Sequence, residues 1–278
     1  MARELISNQT RIPMPDFKIT AQMYTLRDAC TDEASVAEAC RRVKEMGYEA
    51  IQPSAAYFNA IEPEVLRQIL DDNNLLCGPT HRGLEAVEDT EACAAEHKTL
   101  GTDLVAIGGW FDRDAEWTRE AWTEFARRFD RAANNLAEQG MRLGYHNHNH
   151  EFACLAADPA DFDPENVPLA VLAEECGENV WFEVDTYWVQ IGGGDPAAWI
   201  RRLAGRVPGV HLKDFAVSRE REPLMCEVGH GNLNWDEILA ACEEADVEYL
   251  MVERDRGELD AFKSLEISAR NLRKMVGK

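Results

Sequence analysis

No run of apolar residues in the 278-residue sequence approaches the roughly 18 needed to cross a membrane, and the opening MARELISNQTRIPMPD lacks the apolar centre of a signal peptide. A cytoplasmic protein is the expectation. Basic residues are also scarce: 29 Lys and Arg stand against 51 Asp and Glu, a formal net charge of −22, and no basic run interrupts the excess. Such a surface repels phosphate backbones and anionic lipid heads, so no nucleic acid and no membrane is expected as a main partner. The eight cysteines include no CxxC pair, and a chain of this length needs no disulfide staples, so reduced and mostly buried thiols are expected. No GxGxxG follows the first strand-like segment, which speaks against a dinucleotide-binding sheet, and Gly192-Gly193-Gly194 reads as a plain turn before a helix cap.

What is present is a rhythm. After a polar leader to about residue 16, apolar segments that read as strands alternate with amphipathic helical segments. The strand segments are FKITAQMYT, YEAIQ, LLCGPTH, DLVAIGG, MRLGYHNH, NVWFEVD, PGVHLKD and VEYLMVE. The helices between them carry end signals: Thr31 as a cap and Gly47 as a stop, Asp195-Pro196 opening one helix, Asn234 and Glu237 spaced for a capping box. The longest irregular connection is the insertion over 151–166. Eight such units without a linker rich in Pro, Gly or Ser predict an α/β protein with a single (β/α)8 barrel over 17–278 rather than two doubly wound domains.

In a parallel barrel the reactive side chains gather at the C-terminal ends of the strands. Those ends hold Gln22 and Tyr24, Gln52, His81, Trp110, then His146, His148 and Glu151, then Asp185, then His211 and Lys213, and Glu253 last. A lone Asp185 reads as a helix cap. Asp185, His211 and Glu253 at successive strand ends read as a site for a divalent ion of Mn, Mg, Co or Zn type. In His146-Asn147-His148-Asn149-His150-Glu151, alternation would set the three histidines on one side of an extended strand; one ligand and one acid/base or substrate-binding histidine are expected there. Lys213, two residues past His211, could neutralise an oxyanion or hold a hydroxyl, with a surface ion pair to Asp214 or Asp185 as the plainer role. Tyr24, Trp110 and Trp188 are expected to wall the pocket, with Gln52 and His81 on its rim. CEVGHGNLNW reads as a mouth loop that could bring His230 to the site.

The segments GYHNHNHEF, FEVDTYWVQIGGGDP, VHLKDF and YLMVERD, with the opening AQMYTLRD, resemble the xylose-isomerase-like TIM-barrel family over nearly the whole chain after the leader. That family includes sugar isomerases and epimerases, inosose dehydratases and endonuclease-IV-like nucleases. The resemblance implies a Glu, Asp, His, Glu quartet around a divalent ion, with Asp185, His211 and Glu253 in the last three places. In the first place this sequence departs: His146 stands where many members have Glu, and Glu151, five residues on, is the expected carboxylate ligand. The implied reaction is isomerisation or epimerisation of a keto sugar or related polyol through an enediolate, with Glu253 and the fifth-strand His146 or His148 moving protons. A lyase acting on an inosose or 3-keto-glycoside would use the same residues, and a non-catalytic sugar-binding barrel is the third reading. A nuclease would need further ligands and a basic track, against which the charge speaks. A small-molecule sugar or polyol is thus the expected partner, and homo-oligomers are compatible with the sequence.

Overall fold

The computed structural model describes residues 16–54, 56–112 and 116–278; all but the last residue of the expected leader lies outside them. Strands in chain order are β1 (Lys18–Gln22), β2 (Ala50–Gln52), β3 (Leu76–Cys77), β4 (Thr80–His81), β5 (Leu104–Ile107), β6 (Arg142–His146), β7 (Val180–Asp185), β8 (Gly209–Leu212), β9 (Asp214–Val217), β10 (Pro223–Cys226) and β11 (Tyr249–Val252). Nine of them form one parallel sheet in the order β3-β2-β1-β11-β8-β7-β6-β5-β4. The two ends of that order are consecutive in the chain. Between them lie only Gly78 and Pro79, and the Pro has no N–H to give a ladder. Gly78 N–H donates to Ile51 O (2.8 Å) on one side and Arg82 N–H to Ala106 O (2.9 Å) on the other, so this segment works as one broken stave and closes the barrel. The eight staves match the eight strand-like segments of the sequence.

Alternation along each stave sorts side chains into two environments. On β7, Val180, Phe182 and Val184 join the large core between sheet and helices, while Trp181 packs inside the barrel with Ala50, Leu104, Ala106, Tyr249 and Met251. Trp181 is registered against Gly144 of β6. A Cβ at Gly144 would lie 2.2 Å from the indole, so only glycine lets this ring fill the floor. Glu183 and Asp185 share the face of Trp181, and therefore point up the barrel's axis toward its mouth.

Several helix boundaries differ from the sequence expectation for local reasons. Asp32, not Thr31, caps the first helix (Glu33–Glu45), because its carboxylate accepts from Ser35 N while the Ser35 hydroxyl reaches back. The helical segment leading to Leu100 is two helices, Leu84–Glu88 and Thr90–Leu100, broken at Asp89, which caps the second. Asp195 caps its helix as expected, and Asn234 accepts from Glu237 N at 3.4 Å. A short helix, Thr186–Ile191, follows β7 directly and was not foreseen. The segment after β8 is an antiparallel hairpin, β9 with β10, followed by a loop gathered on buried Asp214. That carboxylate accepts from the N–H groups of Phe215 (2.8 Å), Gly229 (2.8 Å), Gly231 (2.9 Å) and Leu233 (3.3 Å) and from Trp235 Nε1 (2.8 Å). His230 of this loop is turned out to solvent beside Glu227 and does not line the barrel mouth, the more common outcome for a loop histidine.

Burial pushes the thiols of Cys40, Cys77, Cys176 and Cys242 up to about 12 and those of Cys30 and Cys93 to about 11. Cys154 and Cys226 are half-buried. A thiol reagent should therefore label these two in the folded protein and spare the others until denaturant is added; prompt modification of Cys40 or Cys242, read by mass spectrometry, would contradict the packing. Replacing Asp214 by Ala strands its N–H donors and should cost about 3–5 kcal/mol in denaturant unfolding. A loss under about 1 kcal/mol would show the loop held by other contacts.

Candidate active site

The upper interior of the barrel is built from inward residues at or just past the ends of six staves. Glu183 of β7 lies at the centre, fully buried. Gln52 Nε2 donates to its Oε1 (2.7 Å), and its Oε2 meets His81 Nε2, His211 Nε2 (2.9 Å) and His146 Nδ1 (3.3 Å, out of line for a good hydrogen bond). One layer higher are Asp185, at the end of β7, and His211 of β8, with Glu253 just past β11. His211 Nδ1 is 2.9 Å from Glu253 Oε2 and 3.6 Å from Asp185 Oδ2; His146 Nε2 is 3.9 Å from the same Asp185 oxygen.

Asp185 caps a helix with one oxygen and turns the other toward the cluster. Its Oδ1 caps the short helix by accepting from Trp188 N (2.9 Å), while its Oδ2 is buried without a hydrogen-bond partner. His211 Nδ1 and Glu253 Oε2 are likewise buried and partnerless, since their close neighbours lie off the hydrogen-bonding directions. Three ligand-type atoms left unsatisfied in a dry interior and within 4.8 Å of one another fit a divalent cation, and two carboxylates with an imidazole are a suitable donor set. Lys213 shares these oxygens, with Nζ 3.1 Å from Asp185 Oδ2 and 2.7 Å from Glu253 Oε2, and it also binds Asp255 at 2.9 Å. The ion pair with Asp214 does not form.

Charge balance decides the protonation states. Burial opposes ionisation of Glu253, but Lys213 and His211 outweigh it and hold the carboxyl well below the usual range. Burial also works against charge on Lys213, yet Asp185, Glu253 and Asp255 keep its ammonium protonated. His146 and His148 go the other way: burial first, then the positive charge of His211 and Lys213 respectively, lowers both to about 3. The sequence reading had one of these imidazoles moving a proton. In the folded interior they are neutral, and fit as ligands or hydrogen-bond partners.

A cavity of about 640 Å³ opens above the cluster, lined by Gln22, Tyr24, His81, His148, Trp188 and Lys213 among others. A larger cleft of about 840 Å³ on the barrel's flank is lined by paired surface charges such as Arg202 with Glu165 and holds no ligand-type cluster. Of the expected wall residues, Tyr24, His81 and Trp188 line the mouth cavity. Gln52 and Trp110 do not. Gln52 is fully buried beneath the cluster, and Trp110 stacks on Phe125 (centroids 4.4 Å, 5° between planes), leaving Phe111 at the rim in its place. The structure also does not bring Glu151 to the cluster. The strand ends at His146, the chain turns into a 3-10 helix (His150–Phe152), and the Glu151 carboxylate is taken by Tyr145 OH (2.6 Å), His148 N (2.7 Å) and His150 Nε2 (2.8 Å). The three histidines are therefore not carried on one extended strand, although their rings still adjoin (His146–His148 centroids 4.8 Å, His148–His150 5.7 Å); His146 faces the cluster and His148 the cavity. Glu183 and Asp255 were missed. Alternation from Asp185 would have found Glu183 two residues earlier on the same face; nothing in the sequence singled out Asp255.

The model of the family described as xylose isomerase-like TIM barrel matches residues 40–275. The chain belongs to that family. Among solved structures it is similar to a sugar phosphate isomerase/epimerase from Parabacteroides distasonis (19% identity, 95% of each chain, TM-score 0.74). It is also similar to a D-allulose 3-epimerase from Methylomonas sp. (15% identity, 95% of this chain and 99% of the other, TM-score 0.69). A third is the probable 3-DHS dehydratase of petrobactin synthesis from Bacillus anthracis (16% identity, 92% and 98%, TM-score 0.69). At these identities the likeness is one of fold. A comparison with curated proteins found no match. Among the described residues no helix is long and apolar enough to cross a membrane.

If the partnerless atoms are ligands, protein reconstituted with Mn or Co and desalted should retain about one equivalent by elemental analysis. The double variant Asp185→Asn, His211→Gln should retain none, while Glu151→Gln should keep the ion. Loss of metal from Glu151→Gln with an unchanged fold would restore Glu151 as a ligand.

Proposed function

We propose that this chain is a divalent-metal-dependent isomerase or epimerase acting on an unphosphorylated keto sugar or related polyol ketone. One observation carries the reading: Asp185 Oδ2, His211 Nδ1 and Glu253 Oε2 converge, buried and partnerless, beneath a cavity whose volume lies within the roughly 300–1,000 Å³ of small-molecule sites. A divalent ion held by these atoms, with His146 beside them, would supply Lewis acidity to polarise a ketone and steady an enediolate. The two imidazoles favour Mn, Co or Zn over Mg.

The chain's own groups divide the remaining work. Glu253 is ionised and lines the cavity, and serves as the base that removes the proton beside the carbonyl. The Lys213 ammonium, held by three carboxylates at the same edge, donates to a substrate hydroxyl or to the developing oxyanion. His148 Nδ1 is buried without a partner, and its neutral ring, also lining the cavity, can accept a substrate hydroxyl or pass a proton on the other side. Trp188, Tyr24 and Phe111 offer ring faces to the C–H face of a sugar. The guanidinium that lines the cavity is committed: Arg82 is held by Glu96, Asn59 and the His81 carbonyl. That commitment is why a phosphate-free substrate is favoured.

Incubating metal-loaded protein with unphosphorylated keto sugars in D2O tests the proposal by NMR. The expected result is deuterium at the carbon beside the carbonyl together with a new isomer, and Glu253→Gln should lower the exchange about 10²–10⁴-fold. Release of water or an aglycone would instead assign the lyase reaction to the same base. Sugar binding without exchange, in protein shown to hold metal, would reduce the chain to a binding barrel.

A further inference from the structure

We propose that Gln52 and Glu183 are positioning residues that clamp the His211 imidazole by its Nε2–H, so that His211 turns Nδ1 toward Asp185 and Glu253. The inference rests on the metal-site reading above and adds what fixes one of its ligand atoms.

The argument runs through donors and acceptors. An ionised carboxylate only accepts, so the Gln52 group lying 2.7 Å from Glu183 Oε1 is its NH2, and the amide oxygen must face the other way. That oxygen is 2.6 Å from His211 Nε2, and Glu183 Oε2 is 2.9 Å from the same nitrogen. Two acceptors on one ring nitrogen require that nitrogen to carry the proton. Burial works against a charge on this ring, but Glu183 and Glu253 outweigh it and hold its pKa well above the usual imidazole value; a bound cation would take the place of the second proton, leaving the lone pair on Nδ1, the atom 2.9 Å from Glu253 Oε2 and 3.6 Å from Asp185 Oδ2. His146 lies beside the same carboxylate with its nitrogens exchanged, Nδ1 3.3 Å from Glu183 and Nε2 3.9 Å from Asp185, but its Nδ1 makes no hydrogen bond there.

Burial makes the clamp stiff. Gln52, Glu183 and His211 are fully buried, so no water can replace a lost partner, and flipping the His211 ring would leave the Gln52 oxygen facing carbon. Gln52 comes from β2, across the barrel from β8, and its amide is held by Glu183 alone at the nitrogen end. Hydrogen bonds across the barrel are what orient the ligand edge of His211.

The test uses Zn-loaded full-length protein with 15N-labelled histidine, the His211 signal being assigned by its absence in His211→Gln. Long-range 1H–15N correlation in the wild type should place the remaining His211 proton on Nε2 and the metal on Nδ1. Gln52→Leu removes the acceptor at similar size; it should mix the tautomers and weaken Zn binding about 10–100-fold by chelator competition on folded protein. A merely space-filling Gln52 would lower thermal stability and leave the tautomer and the Zn affinity unmoved, which would overturn the proposal. So would a wild-type spectrum with the proton on Nδ1, a measurement that stands even if Gln52→Leu does not fold. Wild-type protein that retains no Zn would instead remove the metal-site reading itself.

Discussion

A carboxylate that cannot reach water sets the terms for the rest of this molecule. Glu183 sits at the centre of a closed parallel barrel, where an isolated charge would be prohibitively unstable unless partners surround it. Its partners come from four other staves: Gln52 from β2, His81 from β4, His146 from β6 and His211 from β8. Satisfying one buried charge therefore ties the barrel together across its axis. The same ties place the His211 imidazole with its far edge toward Asp185 and Glu253. Stability and site geometry are linked here because both depend on the same hydrogen bonds.

The next layer continues that logic with the opposite sign. Above Glu183, Asp185, Glu253 and Asp255 bring three more carboxyl groups together, and Lys213 is the fixed cation among them. One ammonium and one imidazole do not balance four carboxyl groups, and burial with the neighbouring Glu253 pushes Asp255 up to about 6 although Lys213 pulls it down. A further positive charge in this layer would relieve both the excess and the partnerless oxygens. That is the electrostatic reason to expect a cation here, and it stands independently of the family likeness.

Much of this was legible in the sequence, and the failures have physical causes. The eight staves followed from apolar segments and turn residues because buried parallel strands carry a strong local signal. The trio Asp185, His211 and Glu253 followed from their strand-end positions. Glu151 failed because the decision belonged to the end of β6: the chain leaves the strand after His146, which gives the Tyr145 hydroxyl and two nearby nitrogens first claim on the carboxylate. Trp110 failed for a tertiary reason, since the Phe125 and Trp122 rings of the following helix take its faces. Gln52 was found but given the wrong neighbours. A strand-end side chain can point at the cavity or beneath it, and only the depth of its partners across the barrel decides which.

The same depth argument explains why the site is made of residues at or just past strand ends, with longer loops only at its rim. Asp185 shows how closely fold and chemistry are joined: one oxygen holds the first turn of a helix, and that hydrogen bond fixes the direction of the other, which faces the cluster. Moving that oxygen would require breaking the cap, a rearrangement of typically about 1 kcal/mol before any strain in the strand is counted. Groups that line the cavity such as Phe111 and Tyr24 lie outside this network, Phe111 against the His148 and His150 rings and Tyr24 against the Arg27 guanidinium. Changes at the rim can thus proceed while the buried network is left intact, whereas a change at Gln52 or Glu183 bears directly on the His211 ring.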